Sequence, residues 1–246
     1  MWALVRYEQR QFEKLAADAL VLRPGESTLS EVEEFSHHYQ PQADIEIKNG
    51  PCTAASCELE IILTNFLEKP SYGGDRPSDR HWLNRSFLRR LGIRPAEARL
   101  FVMVRQDKVE VVYFTAAYES PTGLWTLASW GEFAHFKRGF ECEIEAVHRR
   151  HPNYLLEYAY GPGGPHQDIF VSACFRKEAS EEERQRCRSI RFSCMTSLFD
   201  CAKDRSAAQL LMPEIYQDLL NDEAVRKVDP KGYSDTLWNC IKRPEN

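Results

Sequence analysis

The run Arg99-Leu100-Phe101-Val102-Met103-Val104-Arg105 is followed by Gln106-Asp107 and then by Lys108-Val109-Glu110-Val111-Val112-Tyr113-Phe114-Thr115-Ala116-Ala117-Tyr118. Both runs are dense in β-branched and aromatic residues, which fit a pleated, half-buried surface better than a helix. They predict strands at 99–105 and 108–118. A third strand is predicted at 124–130, after the turn-forming Glu119-Ser120-Pro121-Thr122-Gly123. Polar connections this short join antiparallel neighbours, because a parallel pair needs a crossover of a dozen residues or more. The apolar residues of this meander, Val111 among them, are expected to pack under helices.

Outward from the meander the same alternation recurs. Over 57–67, Leu59, Ile61 and Leu63 point one way and Glu58 and Glu60 the other, a half-buried strand. Segments 155–160 and 167–175 form a hairpin turning at Gly161-Pro162-Gly163-Gly164-Pro165. That turn leads into a strand, whereas a phosphate loop leads into a helix whose free amides face the anion. Residues 140–150 fit a strand or a helix equally.

The flanks read as helices. Residues 8–20 place Phe12, Leu15, Ala16, Ala19 and Leu20 at helical spacing. Thr28-Leu29-Ser30-Glu31 is a capping box that starts a second helix, and Pro41 ends it. Asp79 caps a helix running to Leu91 with Leu83 and Phe87 on its apolar stripe. Ser180-x-x-Glu183 is a second capping box, and Leu211, Ile215 and Leu219 form a later stripe behind Pro213. No repeat, linker or low-complexity tract divides the chain. Residues 1–246 therefore read as a single α+β domain: helical over 1–40, sheet-rich over 45–175, helical over 180–246. Its core is one antiparallel sheet of about five or six strands, a central meander plus a hairpin.

The 246 residues are 43% hydrophobic and 28% charged, which excludes collagen-like, coiled-coil and largely disordered chains. With 32 basic and 37 acidic residues the formal charge is −5, so no global basic field favours nucleic acid as a partner. No apolar run approaches the ~20 residues of a membrane-spanning helix. Met1-Trp2-Ala3-Leu4-Val5 is apolar but ends at Arg6 and Glu8, too short for an export signal. A cytoplasmic setting is expected if Met1 is the natural start, and an extracytoplasmic one if the chain continues upstream.

Eight cysteines are present: Cys52, Cys57, Cys142, Cys174, Cys187, Cys194, Cys201 and Cys240. Two pairs are close in sequence, Cys52/Cys57 and Cys194/Cys201. Each is placed so that a short loop can bring the Cα atoms within the ~5–6 Å a disulfide needs. These four are the disulfide candidates.

Catalytic signatures are lacking. The sequence has no G-x-S-x-G, C-x-x-C, H-E-x-x-H or Walker loop. His148 and His151 lie near Cys142, but their spacing matches no paired zinc element, and neither a metal nor a cofactor is expected. The segment 75–94 carries six arginines against Asp75 and Asp79. Within it Arg85 and Arg89, one helical turn apart, are the candidate anion-binding pair.

Arg23-Pro24-Gly25-Glu26-Ser27-Thr28-Leu29-Ser30-Glu31-Val32 resembles the helix opening of BamE-like small envelope domains. The wider layout resembles uncharacterised bacterial membrane-anchored proteins, through Pro24 to Thr28, Cys52/Cys57, Cys194 to Cys201 and Met212-Pro213. That resemblance implies an envelope-associated, extracytoplasmic setting and no particular activity.

The leading expectation is thus a non-catalytic interaction module of an envelope-associated protein, with a protein partner. One alternative is a cytosolic thiol-dependent enzyme using Cys142, Cys174 or Cys187 with a nearby histidine as base. The other is an anion or nucleic-acid binder acting through Arg85 and Arg89.

Overall fold

A computed structural model describes residues 2–64, 96–119, 125–134, 154–161, 168–192 and 211–214. The segment read from the sequence as an arginine-bearing helix with Arg85 and Arg89, the 140–150 segment, and Cys142, Cys194, Cys201 and Cys240 lie outside the described residues.

Helix α1 spans Trp2–Asp18 and runs into a 3-10 turn at Ala19–Val21. Helix α2 spans Leu29–Tyr39. The capping box that starts it forms as the sequence implies: the Glu31 carboxylate reaches back to accept from the Thr28 amide at 2.6 Å. Seven strands follow: β1 Asp44–Lys48, β2 Ser56–Thr64, β3 Ala96–Arg105, β4 Lys108–Glu119, β5 Trp125–Phe133, β6 Tyr154–Gly161 and β7 Asp168–Arg176. Helix α3, Glu181–Arg188, opens on the second capping box, where Ser180 Oγ accepts from the Glu183 amide at 3.2 Å.

The fold is α+β, with one open sheet in the order β1-β2-β3-β4-β5-β7-β6. Strands β1 to β5 form an antiparallel meander, and β6 and β7 an antiparallel hairpin. Two features differ from the sequence expectation. The sheet has seven strands among the described residues, because the segment read as a loop at 41–56 contains β1. Its pattern, Asp44-Ile45-Glu46-Ile47-Lys48, is short and charged, as an edge strand should be. The hairpin also joins the meander through its second strand, and β5 pairs with β7 in parallel. Local alternation marks where strands are but says little about which distant strands become neighbours.

One face of the sheet carries α1, α2 and α3. Phe12, Leu15, Ala19 and Leu22 meet Leu59, Ile61, Leu100, Val102, Phe114 and Trp130 in a continuous core that also takes in Phe192, Leu211 and Met212. Burying each large apolar side chain contributes about 1.5–3 kcal/mol. Tyr39 ties the two N-terminal helices together, donating its hydroxyl to Asp18 Oδ2 at 2.6 Å. Burial, and then the Asp18 carboxylate, hold its phenol well above the ordinary range.

The other face is shielded too. Ile62, Phe101, Met103, Val111, Tyr113, Ala117 and Phe133 are buried yet lie outside the helix-covered core. Strand β2 is therefore not half-buried: Glu60 on its second face is only 5% exposed. Val111 also belongs to this second face, and the reason is a bulge. Val104 pairs with Val109 while Met103 pairs with Val111, so Glu110 is the extra residue. One inserted residue reverses the alternation and puts Val109 and Val112, not Val111, under the helices. The Arg23 to Ser27 turn secures the bulge. Gly25, at φ +82°, donates its amide to the Val109 carbonyl at 2.7 Å, and the Ser27 carbonyl accepts from the Val109 amide at 2.9 Å.

Val111 tests the burial of this second face. Val111→Asp is expected to lower unfolding free energy by at least about 3 kcal/mol, the scale of burying an unpaired carboxylate. Denaturant midpoints measure it, and a change within error would place Val111 in water.

Candidate functional site: charged clusters in a doubly covered sheet

A strand covered on both faces leaves its charged residues no route to water, so each must find a partner or lose its charge. Two such clusters stand out among the described residues.

The first lies on the helix side. Glu132 shares a strand face with Ala128 and Trp130, and its side chain is 2% exposed. Helix α3 brings two arginines, one turn apart, onto its two oxygens. Arg184 donates to Oε1, and Arg188 Nη2 donates to Oε2 at 2.6 Å. The Arg188 guanidinium also lies over the rings of Phe175, 5.0 Å from the centroid, and Trp130, 5.5 Å away. Trp130 in turn stacks on Phe114 at 5.8 Å between centroids. Burial pushes the Glu132 carboxyl above its ordinary range against the pull of Arg188 and Arg184. Burial likewise holds Arg188 below its ordinary range despite Glu132. Both shifts disfavour the charged forms, so desolvation outweighs mutual attraction here. The cluster positions α3 on the sheet: both Glu132 oxygens accept from its arginines, Arg184 also donates to the Ala179 and Lys177 carbonyls, and Arg188 Nε is buried without a hydrogen-bond partner.

The second lies on the opposite face. Arg99 grips Glu97 in bidentate fashion, Nε to Oε1 at 2.7 Å and Nη2 to Oε2 at 3.1 Å, and reaches Glu60 Oε1 at 3.3 Å. Lys48 on β1 approaches Glu60 Oε2 at 3.3 Å and also contacts Glu46. Burial raises the Glu97 carboxyl, partly countered by Arg99, while the Glu60 charge raises it further. Burial acts to lower Arg99, but the two carboxylates outweigh it and its guanidinium stays firmly charged. From Arg99 a polar row crosses the sheet in register. Arg99 pairs with Thr115, Thr115 with Ser129, and Ser129 with Ser172. The Thr115 and Ser129 hydroxyls are 3.1 Å apart. The row is flanked by buried Phe101, Tyr113 and Ala117. Solvent reaches it at Arg99, whose side chain is 24% exposed.

The cysteines divide. Cys52 and Cys57 lie at disulfide distance, their Cα atoms 4.3 Å apart, at the end of the sheet between β1 and β2. Cys187 is a free, buried thiol in α3, next to Arg188 of the Glu132 cluster. Cys174 occupies β7 next to Ala173 in the strand. His37 and His38 are in the last turn of α2, where a helix C-terminus favours positive charge. No group of three or more metal-ligating side chains occurs among the described residues. Among the same residues no helix is long and apolar enough to cross a membrane.

Sequence reasoning passed over Glu132, Glu97, Arg99, Arg184 and Arg188. The available signal was a lone acid inside an apolar strand, as in Ala96-Glu97-Ala98 and Gly131-Glu132-Phe133, together with arginines four apart on the next helix. No family model, no curated protein and no solved structure matches this chain.

Two measurements check these assignments. Glu132→Ala strands two largely buried guanidinium groups and is expected to cost about 3–5 kcal/mol of stability; a loss below 1 kcal/mol would mean that the cluster is solvated. Glu97 bears on pH. Its folded-state value lies above the unfolded 4.5, so its stabilising contribution is complete below pH 4.5 and lost as pH rises through the folded value. The stability advantage of wild type over Glu97→Gln should therefore shrink between pH 4.5 and 7, read from paired denaturant midpoints. An advantage that grows over that interval would reverse the assignment.

Proposed function

We propose that this chain is a contact module of an envelope-associated protein, one that works by recognising a protein partner and not by transforming a substrate. The observation that carries this reading is where the charged and apolar groups are spent. Glu132, Glu97 and Glu60 are committed to arginines inside the sheet, where they hold elements together. Among the described residues the exposed large apolar side chains are Tyr7, Leu20 and Val21 on α1 and its 3-10 turn, and Ile47 at the rim of the sheet. Ile47 on β1, the outermost described strand on that side, is 54% exposed although its pairing partner Leu59 is buried. A strand at a sheet edge can take an extended segment of another protein, with side chains such as Ile47 contributing specificity. The Cys52/Cys57 pair beside β1 supports an oxidising compartment, where such bonds persist.

The test is photo-crosslinking in cells with benzoylphenylalanine introduced at Ile47 and, separately, at the exposed Glu34 of α2. The expected result is a discrete heavier band from position 47 that is missing from position 34. No adduct at 47, or equal labelling at both positions, would reject the β1 rim as the contact surface.

A further inference from the structure

The loop closed by Cys52 and Cys57 does more than end a hairpin. Its Ala54 and Ala55 carbonyls point at the tip of the neighbouring β3–β4 hairpin. Ala54 accepts the Asp107 amide at 2.6 Å, and Ala55 accepts the Gln106 amide at 3.3 Å. Thr53 and Ser56 close the loop from within: the Thr53 amide donates to the Ser56 carbonyl at 3.1 Å. The hairpin tip needs this support. Gln106 and Asp107 both have positive φ, +52° and +61°, a conformation that costs residues with a Cβ about 1–2 kcal/mol each and is usually left to Asn and Gly. The tip connects onward as well. Asp107 Oδ1 accepts the Leu29 amide at the start of α2 at 3.4 Å, and Lys108 Nζ donates to the Glu26 carbonyl at 2.7 Å. A chain of contacts therefore runs from the sulfurs through two carbonyls and a strained turn to the N-terminus of α2.

We propose that Cys52–Cys57 is a redox clasp on the β3–β4 hairpin tip, so that reducing it releases the tip and loosens the start of α2. The proposal deepens the contact reading only in sharing its oxidising setting, since the clasped loop adjoins the β1 rim. The chemistry is thiol–disulfide exchange with a dithiol reductant. Cys57 is buried and Cys52 is partly exposed, so the incoming thiolate attacks Cys52 Sγ. An S–S bond forms to the reductant while the Cys52–Cys57 bond breaks, and Cys57 leaves as a thiolate that takes a proton. The second thiolate of the reductant then attacks its own bridged sulfur and expels the Cys52 thiolate, which is protonated in turn. The protein gains two electrons and two protons, and the reductant leaves as a cyclic disulfide.

Hydrogen exchange on the full chain tests the clasp, comparing air-oxidised protein with the same protein reduced by dithiothreitol. Peptides covering 52–57, 104–109 and 27–31 are expected to exchange on the order of tenfold faster once reduced, because the cross-link no longer restricts the open loop. Peptides covering α3 should not change. A Cys52→Ser/Cys57→Ser variant should exchange at the fast rate without reductant and ignore its addition, which separates this pair from the other cysteines. Unchanged exchange at 104–109 and 27–31 would overturn the proposal. So would acceleration that includes α3, since that reports general destabilisation. Mass mapping that finds Cys52 and Cys57 unbonded in the oxidised protein would remove the clasp, while the contact reading is still judged by the adduct at position 47.

Discussion

Burial of the central strands on both faces is the constraint from which most of this structure follows. Strands β3 and β4 carry Leu100, Val102, Val112 and Phe114 toward the helices and Phe101, Met103, Val111 and Tyr113 away from them, and all eight are buried. An antiparallel meander commonly leaves one face to water. Here neither face is available, so Glu60, Glu97 and Glu132 cannot be ordinary solvated carboxylates. Each is brought to an arginine, and the arginines fix geometry that apolar packing alone leaves loose. Arg99 ties neighbouring positions of β2 and β3 together, while Arg184 and Arg188 set how α3 lies on β5 and β7. Ion pairs this buried gain little net stability over apolar packing. In the observed docking of α3 both Glu132 oxygens are paired, and removing either arginine would leave part of that buried charge unmatched.

The parallel junction between β5 and β7 belongs to the same logic. Pairing through β7 places Phe175 in register with Glu132 and Ala173 with Trp130. That register assembles the aromatic floor on which Arg188 rests. Phe175 reaches that floor because β7, and not β6, lies against β5. Helix α3 begins five residues after β7 ends, so the capping box at Ser180 delivers its arginines directly above that floor. Gly131 contributes on the opposite side. A Cβ there would come within 2.7 Å of the Tyr113 ring and 2.9 Å of the Phe133 ring, so the two aromatics close over a position that only glycine leaves open.

What the sequence disclosed and what it withheld divide along the range of the interactions. Both capping boxes, the Gln106-Asp107 turn, six of the seven described strands, and the closeness of Cys52 to Cys57 are set by neighbours within about ten residues, and alternation or spacing exposes them. Strand β1 escaped because five residues with two acids and a lysine resemble a loop as much as an edge strand. The reversed facing of Val111 escaped because a bulge has no signature in Val109-Glu110-Val111-Val112, where all the valines suit either face. The charged clusters were the least legible part. Glu132 meets arginines more than fifty residues away, and Arg99 meets Glu60 thirty-nine residues back. Nothing local announces such pairs except the oddity of an acid inside an apolar run.

The distribution of burial also explains why the sulfur pair sits where it does. Apolar packing weakens along the sheet toward β1, whose residues are exposed or half-buried, with Ile47 open to solvent. At that end less apolar burial is available to offset the conformational entropy of the β1–β2 loop. Yet the β3–β4 tip, strained at two residues with positive φ, depends on that loop for two hydrogen bonds. The covalent closure proposed across Cys52 and Cys57, which lie at disulfide distance, would restrict the loop without needing any buried area. The same end of the sheet is then the part of the described strands whose order rests least on the core. The Glu132 cluster, at the far side of the meander, ties α3 to the sheet without any contribution from that end.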